Sequence, residues 1–364
     1  MIPVRIPSSN LRPIDRRSGV VAFNEVLVVF AVVAGLVLLK TMFLSAVSID
    51  PNSAATNSRT LSERPIHCIS LDRDGRRLWV ARPREGVARL NVATRELDQS
   101  LPLSELELVV SAFSRDGSTA LLCGADATAV HHRNGEEPRV VPLMPGELII
   151  RACVCDDGSV SACATASGRI HIWTRHEAEF QGFTYQLLSD SAVLQIGLDR
   201  AGRRIYVARS DGTISFHASQ TGEPDGSSLR VEAGCVAFAW SHDECYMGVV
   251  TSHGRVNVHD VATGRISFDG LVDEDYQHNP TCAASAILQF SPDGKRIATS
   301  AIATNQIRIW DLETGQSLGT LSGHDAPVRT LQFSPMSDVL YSGSYDGTVR
   351  EWSLQTYSQL RMID

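Results

Sequence analysis

The sequence predicts an all-β protein, a seven-bladed β-propeller of four-stranded antiparallel blades, preceded by one N-terminal transmembrane helix. Two features predict the ring and a third the helix. The first is a phrase written seven times, an apolar or aromatic residue followed by a polar tight turn. It begins at Leu71, Phe113, Val154, Leu198, Trp240, Phe290 and Phe333, as in Phe113-Ser114-Arg115-Asp116-Gly117 and Phe290-Ser291-Pro292-Asp293-Gly294. Successive spacings are 42, 41, 44, 42, 50 and 43 residues. A period of that length describes a small sheet that buries its apolar face only against its neighbours.

The second feature tests the first. Each unit ends a second apolar run at Glu85-Gly86, Asp126, Ser167-Gly168, Asp211-Gly212, His253-Gly254, Asn305 or Asp346-Gly347, and five of these lie 13 residues past the lead residue. Between the phrases the chain alternates apolar and polar in short runs, and Gly with Asp or Asn supplies the positive φ of hairpin turns. Each unit reads as strand a, turn, strand b, Gly turn, strand c and a looser strand d, which is one blade.

The last two units carry Arg308-Ile309-Trp310-Asp311-Leu312-Glu313-Thr314-Gly315, Ser322-Gly323-His324 and Asp346-Gly347-Thr348-Val349-Arg350-Glu351-Trp352. This resembles WD-repeats with their Gly-His and Trp-Asp signatures, over residues 59–364. The Trp slot holds Trp173, Trp310 and Trp352, with His132, His217, His259 and Asn91 elsewhere. The resemblance implies a buried hydrogen-bonded tetrad that locks a blade, supplied in full only by His324, Ser342, Asp346 and Trp352. The sixth unit keeps Ser300 and Trp310 but has Thr304 at the Asp position. A Ser, His and Asp together also suggest a hydrolase triad. Buried polar groups need partners, however, and the structural use is the expected one.

The third feature is Val26–Leu39, 14 apolar residues without charge, followed by Lys40 and the mostly apolar Thr41–Val47. A spanning helix needs about 20 residues, so this one spans if Lys40 snorkels to the interface. The expected division is a cytoplasmic segment 1–22, a signal-anchor helix 23–47, a linker 48–58 and the propeller 59–364. Arg5, Arg12, Arg16 and Arg17 precede the span against one acidic residue, Asp15, which keeps the N-terminus cytoplasmic and the propeller extracytoplasmic, periplasmic in a bacterium. The alternative is a secreted protein after cleavage near Ala46-Val47-Ser48.

With 33 Lys and Arg against 41 Asp and Glu, the net charge of −8 opposes nucleic-acid binding, which wants a concentrated basic surface. The eight cysteines fall mainly at strand positions among apolar neighbours and read as reduced core thiols, with Cys153 and Cys155 on one face and Cys163 on the adjoining strand able to face them. The eleven histidines show no ligand spacing, and His131 and His132 point to opposite faces. No catalytic group, metal ligand set or cofactor is expected.

The long spacing of 50 places extra residues in the loop that joins the fifth and sixth units. Asp273, Glu274, Asp275, Tyr276 and His278 there suit a basic segment of a protein partner, and Tyr345 is a second exposed aromatic candidate. The expected function is a membrane-tethered protein–protein interaction scaffold. Its alternative is a propeller enzyme, a lactonase-like hydrolase with its site in the central channel. Either Arg59–Ser62 or Ser358–Ile363 supplies the outer strand of the last blade, and the alternation of Leu360 and Met362 favours the second.

Overall fold

The computed structural model describes residues 65–83, 85–101, 106–176, 179–187, 191–226, 228–231, 235–251, 254–271, 287–300 and 305–363. The expected anchor, the linker and the loop that carries Asp273, Glu274, Asp275, Tyr276 and His278 lie outside them. Among the described residues no helix is long and apolar enough to cross a membrane. Their 28 strands form seven antiparallel four-stranded sheets, each made of four consecutive strands in chain order. This is the expected seven-bladed propeller.

Strand a of each blade is innermost: Cys68–Leu71, Leu108–Phe113, Ile149–Val154, Val193–Leu198, Cys235–Trp240, Ile287–Phe290 and Val328–Phe333. These strands contact one another around the ring. Strand b is packed on both sides, as Thr119–Gly124 and Val160–Thr165 are buried at every position. Strand d, for example Leu97–Leu101, is largely solvated, so its sequence needs no strict alternation.

The recurring phrase folds for local reasons. In blade 6 Ser291 Oγ donates to Asp293 Oδ1 at 2.6 Å and accepts the Arg296 N–H at 2.9 Å, closing the a–b turn. Blades 2, 5 and 7 repeat the serine bond through Ser114, Ser241 and Ser334, and in blade 3 the Cys155 thiol takes its place. Five turns then place glycine at positive φ, while Glu244 (φ 60°) and Ser337 (φ 59°) hold that conformation in the other two. At Gly117 space also decides, since a Cβ would come within 2.6 Å of Asp72 Cβ in the preceding blade.

The register corrects two assignments. Phe333 pairs with Leu340 and Leu340 with Trp352, which defines the Trp slot. In blade 1 the same ladder runs Leu71, Leu78, Leu90, so Leu90 fills the slot. Asn91 instead closes the c–d turn, its Oδ1 accepting the N–H groups of Ala93 and Thr94 at 3.0 and 3.1 Å. In blade 6 the residue two past Ile297, the partner of Trp310, is Thr299, and this rather than Ser300 matches Ser342.

Strand Ser358–Ile363 pairs with Val349–Ser353 as the outer strand of blade 7. Blades 7 and 1 meet through Ile66 N–H to Ser344 O (2.9 Å), Ile69 N–H to Thr330 Oγ1 (3.2 Å) and a shared core of Ile66, Ile69, Tyr341, Val349 and Ile363. The strand is the one favoured, but on another pattern: Leu360 and Met362 are exposed, and Ile363 is the buried residue.

Candidate functional site

In blade 7 the b–c turn and the d–a loop bring four polar side chains together. His324 Nδ1 lies 2.7 Å from Asp346 Oδ2, His324 Nε2 lies 2.7 Å from Ser342 Oγ, and Trp352 Nε1–H donates to the same oxygen at 2.7 Å. Asp346 is tied further by Thr348 Oγ1 at 2.7 Å. Burial pushes the Asp346 carboxyl upward, but the hydrogen bonds and charge of His324 together with the Thr348 bonds outweigh it and hold the group well below the usual carboxylate range. The spatial order Ser, His, Asp is that of a hydrolase triad. Ser342 is fully buried and its oxygen accepts an indole N–H, so a substrate carbonyl cannot reach it.

Blade 6 contains a reduced version. Trp310 Nε1–H donates to Thr299 Oγ1 at 2.8 Å, and Ser300 Oγ donates to the Gln306 carbonyl at 2.8 Å. Thr304 lies outside the described residues. Blades with histidine in the Trp slot use it differently: His217 Nε2 meets Ser215 Oγ at 2.8 Å and His132 meets Gln99 at 3.4 Å.

Tyr345, expected to be exposed, is half-buried, because the Arg329 guanidinium lies over its ring at 5.1 Å. The thiols also need correction. Cys163 pairs with Ala152 and Cys153 with Ala162, so the pleat puts Cys163 on the other face. Cys163 packs with Cys123 in the core between blades 2 and 3, and Cys153 and Cys155 pack between blades 3 and 4. Cys68, Cys123, Cys153, Cys155, Cys163 and Cys245 are free thiols. His131 and His132 do take opposite faces, one against Trp173 and Phe180 at 4.6 Å, the other toward Trp79 at 6.1 Å.

Around the channel, side chains not singled out in the sequence join adjacent innermost strands. Arg151 Nε donates to Gln195 Oε1 at 2.5 Å, and Gln289 Nε2 to Gln332 Oε1 at 3.5 Å. At the a–b turn end, Arg115, Asp156, Arg200 and His242 form one polar network. The available signal was position: Arg151 and Gln195 lie three before the lead residues Val154 and Leu198, and Gln289 and Gln332 one before Phe290 and Phe333.

Residues 276–311 and 315–353 match the family described as WD domain, G-beta repeat. The β-propeller domain of Cps50 (Swd1) from Myceliophteria thermophila superposes with a TM-score of 0.67 over 82% of this chain and 100% of that one, at 16% identity, a likeness of fold. The chain carries WD40 repeats on a WD-repeat propeller. Among curated proteins, it is 39% identical over 89 residues to Periodic tryptophan protein 2 homolog of Neurospora crassa, covering 23% of this chain and 10% of that protein. It is 25% identical over 317 residues to Apoptotic protease-activating factor 1 of Danio rerio, 84% of this chain and 24% of that one. With human WD repeat and SOCS box-containing protein 1 it shares 31% over 140 residues, 36% and 31% of the two chains. The WD-repeat chain thus spans no more than about a third of these relatives.

Proposed function

We propose that the protein is a membrane-tethered interaction scaffold that presents its WD-repeat propeller to protein partners outside the cytoplasm. The observation that carries this reading is the burial of the one complete His-Ser-Asp-Trp set. His324, Ser342, Asp346 and Trp352 act as a lock inside blade 7, which leaves the turn surfaces for binding. WD-repeat propellers generally bind proteins, and one of the similar proteins is named for its WD repeat and SOCS box. Tethering rests on the uncharged run Val26–Leu39 with arginines before it, and the partner site on the acidic loop 272–278 and Tyr345, which suit a basic segment. The lactonase-like alternative has no observation in its favour: among the described residues no three His, Cys, Asp or Glu side chains stand together as metal ligands.

The test is photocrosslinking in intact membranes from a photoreactive residue at position 345, combined with alkaline carbonate extraction. Discrete protein adducts that weaken on deleting residues 272–278, from a chain that stays in the pellet, are expected. Release by carbonate would refute the tether, and absence of adducts would refute the scaffold.

A further inference from the structure

We infer that blades 2 and 3 enclose a carboxylate site, with His131 Nε2–H at its floor and Arg133 and Arg139 at its rim, that takes an acidic group from a free small molecule or from a protein side chain. The site begins with one exchanged residue. The strand-b position that pairs with the Trp slot is Leu78, Ala120, Ile205, Met247, Ile297 or Leu340 in six blades, all buried, and Ser161 in blade 3. A hydroxyl at an apolar core position costs stability unless it is bonded, and among the described residues Ser161 Oγ has one polar partner, His131 Nδ1 of blade 2 at 3.2 Å. The register brings the two together. Ser161 pairs with Trp173 on the face of blade 3 that meets blade 2, and His131, in strand Thr128–Arg133, turns to that face, its ring held edge-on by Trp173 and Phe180 at 4.6 Å each.

The proton count then fixes the tautomer. If Nδ1 carried the hydrogen, the Ser161 proton would have no acceptor; with Ser161 donating to Nδ1, the hydrogen of the neutral ring sits on Nε2. Burial, and then the charge of Arg139, hold that ring neutral. His131 is 7% exposed and its Nε2 is buried without a hydrogen-bond partner, while the residue lines a cavity of about 20 Å³ between the two blades. One water needs roughly 10–15 Å³ of such space, so the cavity admits one small polar group. An N–H at the floor and guanidiniums at the rim call for an anionic oxygen. Arg139 lies over the Phe180 ring at 5.6 Å, and among the described residues neither Arg139 nor Arg133 makes an ion pair. Glu136 on the same rim is held by Arg175, which leaves Glu137 as the opposing charge among the described residues and favours a singly charged carboxylate over a phosphate dianion. One carboxylate oxygen would take the Nε2–H and the other face Arg139, whose planar donors fit it.

The test uses the full-length chain in detergent with isotopically labelled histidine, titrated with sodium acetate against sodium chloride at constant ionic strength. Nitrogen NMR reads the His131 imidazole, assigned by the loss of its signals in His131→Phe. The unliganded protein is expected to show the Nε2–H tautomer, and acetate to shift that signal saturably while the neutral isostere acetamide does not. Inorganic phosphate should bind at least about fivefold more weakly than acetate, Arg139→Gln should lose about fivefold, and Ser161→Ala, which frees the tautomer, about tenfold. Arg230→Gln, on the outer strand of blade 4, keeps all of the binding. If His131→Phe does not melt cooperatively, the signal that moves in Ser161→Ala makes the assignment. A peptide with an amidated C-terminus and a single internal glutamate that binds as acetate does assigns the acid to a protein, whereas acetate binding without peptide binding assigns a free small carboxylate. An Nδ1–H tautomer, an equal response to acetamide or chloride, or binding indifferent to Arg139 overturns the site and leaves water as its occupant. The crosslinks at position 345 read the scaffold separately from any of these outcomes.

Discussion

Ser342 shows how one oxygen can decide between two chemistries. Its Oγ has two lone pairs and one proton; Trp352 Nε1–H uses one lone pair, and His324 Nε2 shares the hydroxyl at 2.7 Å. In a hydrolase the hydroxyl would be exposed and the second lone pair free for attack. Here the side chain is fully buried, and its removal leaves an indole N–H and an imidazole nitrogen unpaired inside the blade. Ser342→Ala is expected to cost about 2–4 kcal/mol, read as a shift of the urea midpoint. Thr299→Val, which removes one oxygen from the simpler pair with Trp310, should cost about 1–2 kcal/mol. A Ser342→Ala chain as stable as the unaltered protein would refute the lock. His324→Phe and Asp346→Leu should also be non-additive, because they share the 2.7 Å bond.

At the level of the strand, the last blade separates what alternation says from what packing does. Within Ser358–Ile363, Leu360 is 53% exposed and Ile363 is 3% exposed, packed in the core that blades 7 and 1 share. Ile363→Ala should therefore cost about 2–4 kcal/mol by creating a cavity at the ring's seam, while Leu360→Ala should cost less than about 0.5 kcal/mol; midpoints from urea unfolding of both variants test the contrast. Equal losses would mean that the strand does not close the seam in this register. The fold was legible because the a–b phrase has a local cause, a serine or thiol in five blades and Asp72 or Asp199 in the other two that ties its own turn, so it repeats in every blade. Strand register was less legible. Thr299 and Ser300 are adjacent hydroxyls, and only the pairing of Ile297 with Trp310 distinguishes the one beneath the indole. The tetrad could be read from residue types at fixed offsets, whereas the Arg115 to His242 contact could not, since 127 residues and two intervening blades separate the pair. No periodicity connects side chains across a channel.

For the whole molecule, the ring turns its histidines into an acid liability. Closing seven sheets leaves few polar cavities, and the Trp slots filled by His132, His217 and His259 place imidazoles where blades pack. Burial is the leading cause of depression for all three, and for His171. Burial, then the charge of Arg139, pushes His131 down to about 3; burial, then Arg329, does the same to His67. At the a–b turn end burial lowers His242 with help from Arg115 and Arg200, against the opposing charges of Asp156 and Asp243. In each case the native state holds the neutral ring, while the unfolded chain takes up a proton near the ordinary histidine pKa of about 6.5. Above that pH neither state is charged and stability is unaffected. Below it the unfolded state binds more protons, so stability falls with pH until the native rings titrate, near 3 for His67 and His131. Each buried ring that stays neutral contributes a slope of at most about 1.4 kcal/mol per pH unit in that window. The depressed Asp346 adds a loss of the same sign only below about pH 4, where the unfolded carboxylate protonates. Urea midpoints should therefore be flat between pH 7 and 8 and drop steeply from pH 6 to pH 5, before any carboxylate is involved. His217→Gln and His259→Gln should each reduce the drop by a similar step. A midpoint that holds constant down to pH 5, or a drop that begins only below pH 4, would show that the rings are not held neutral in the native ring and that carboxylates alone set its acid limit.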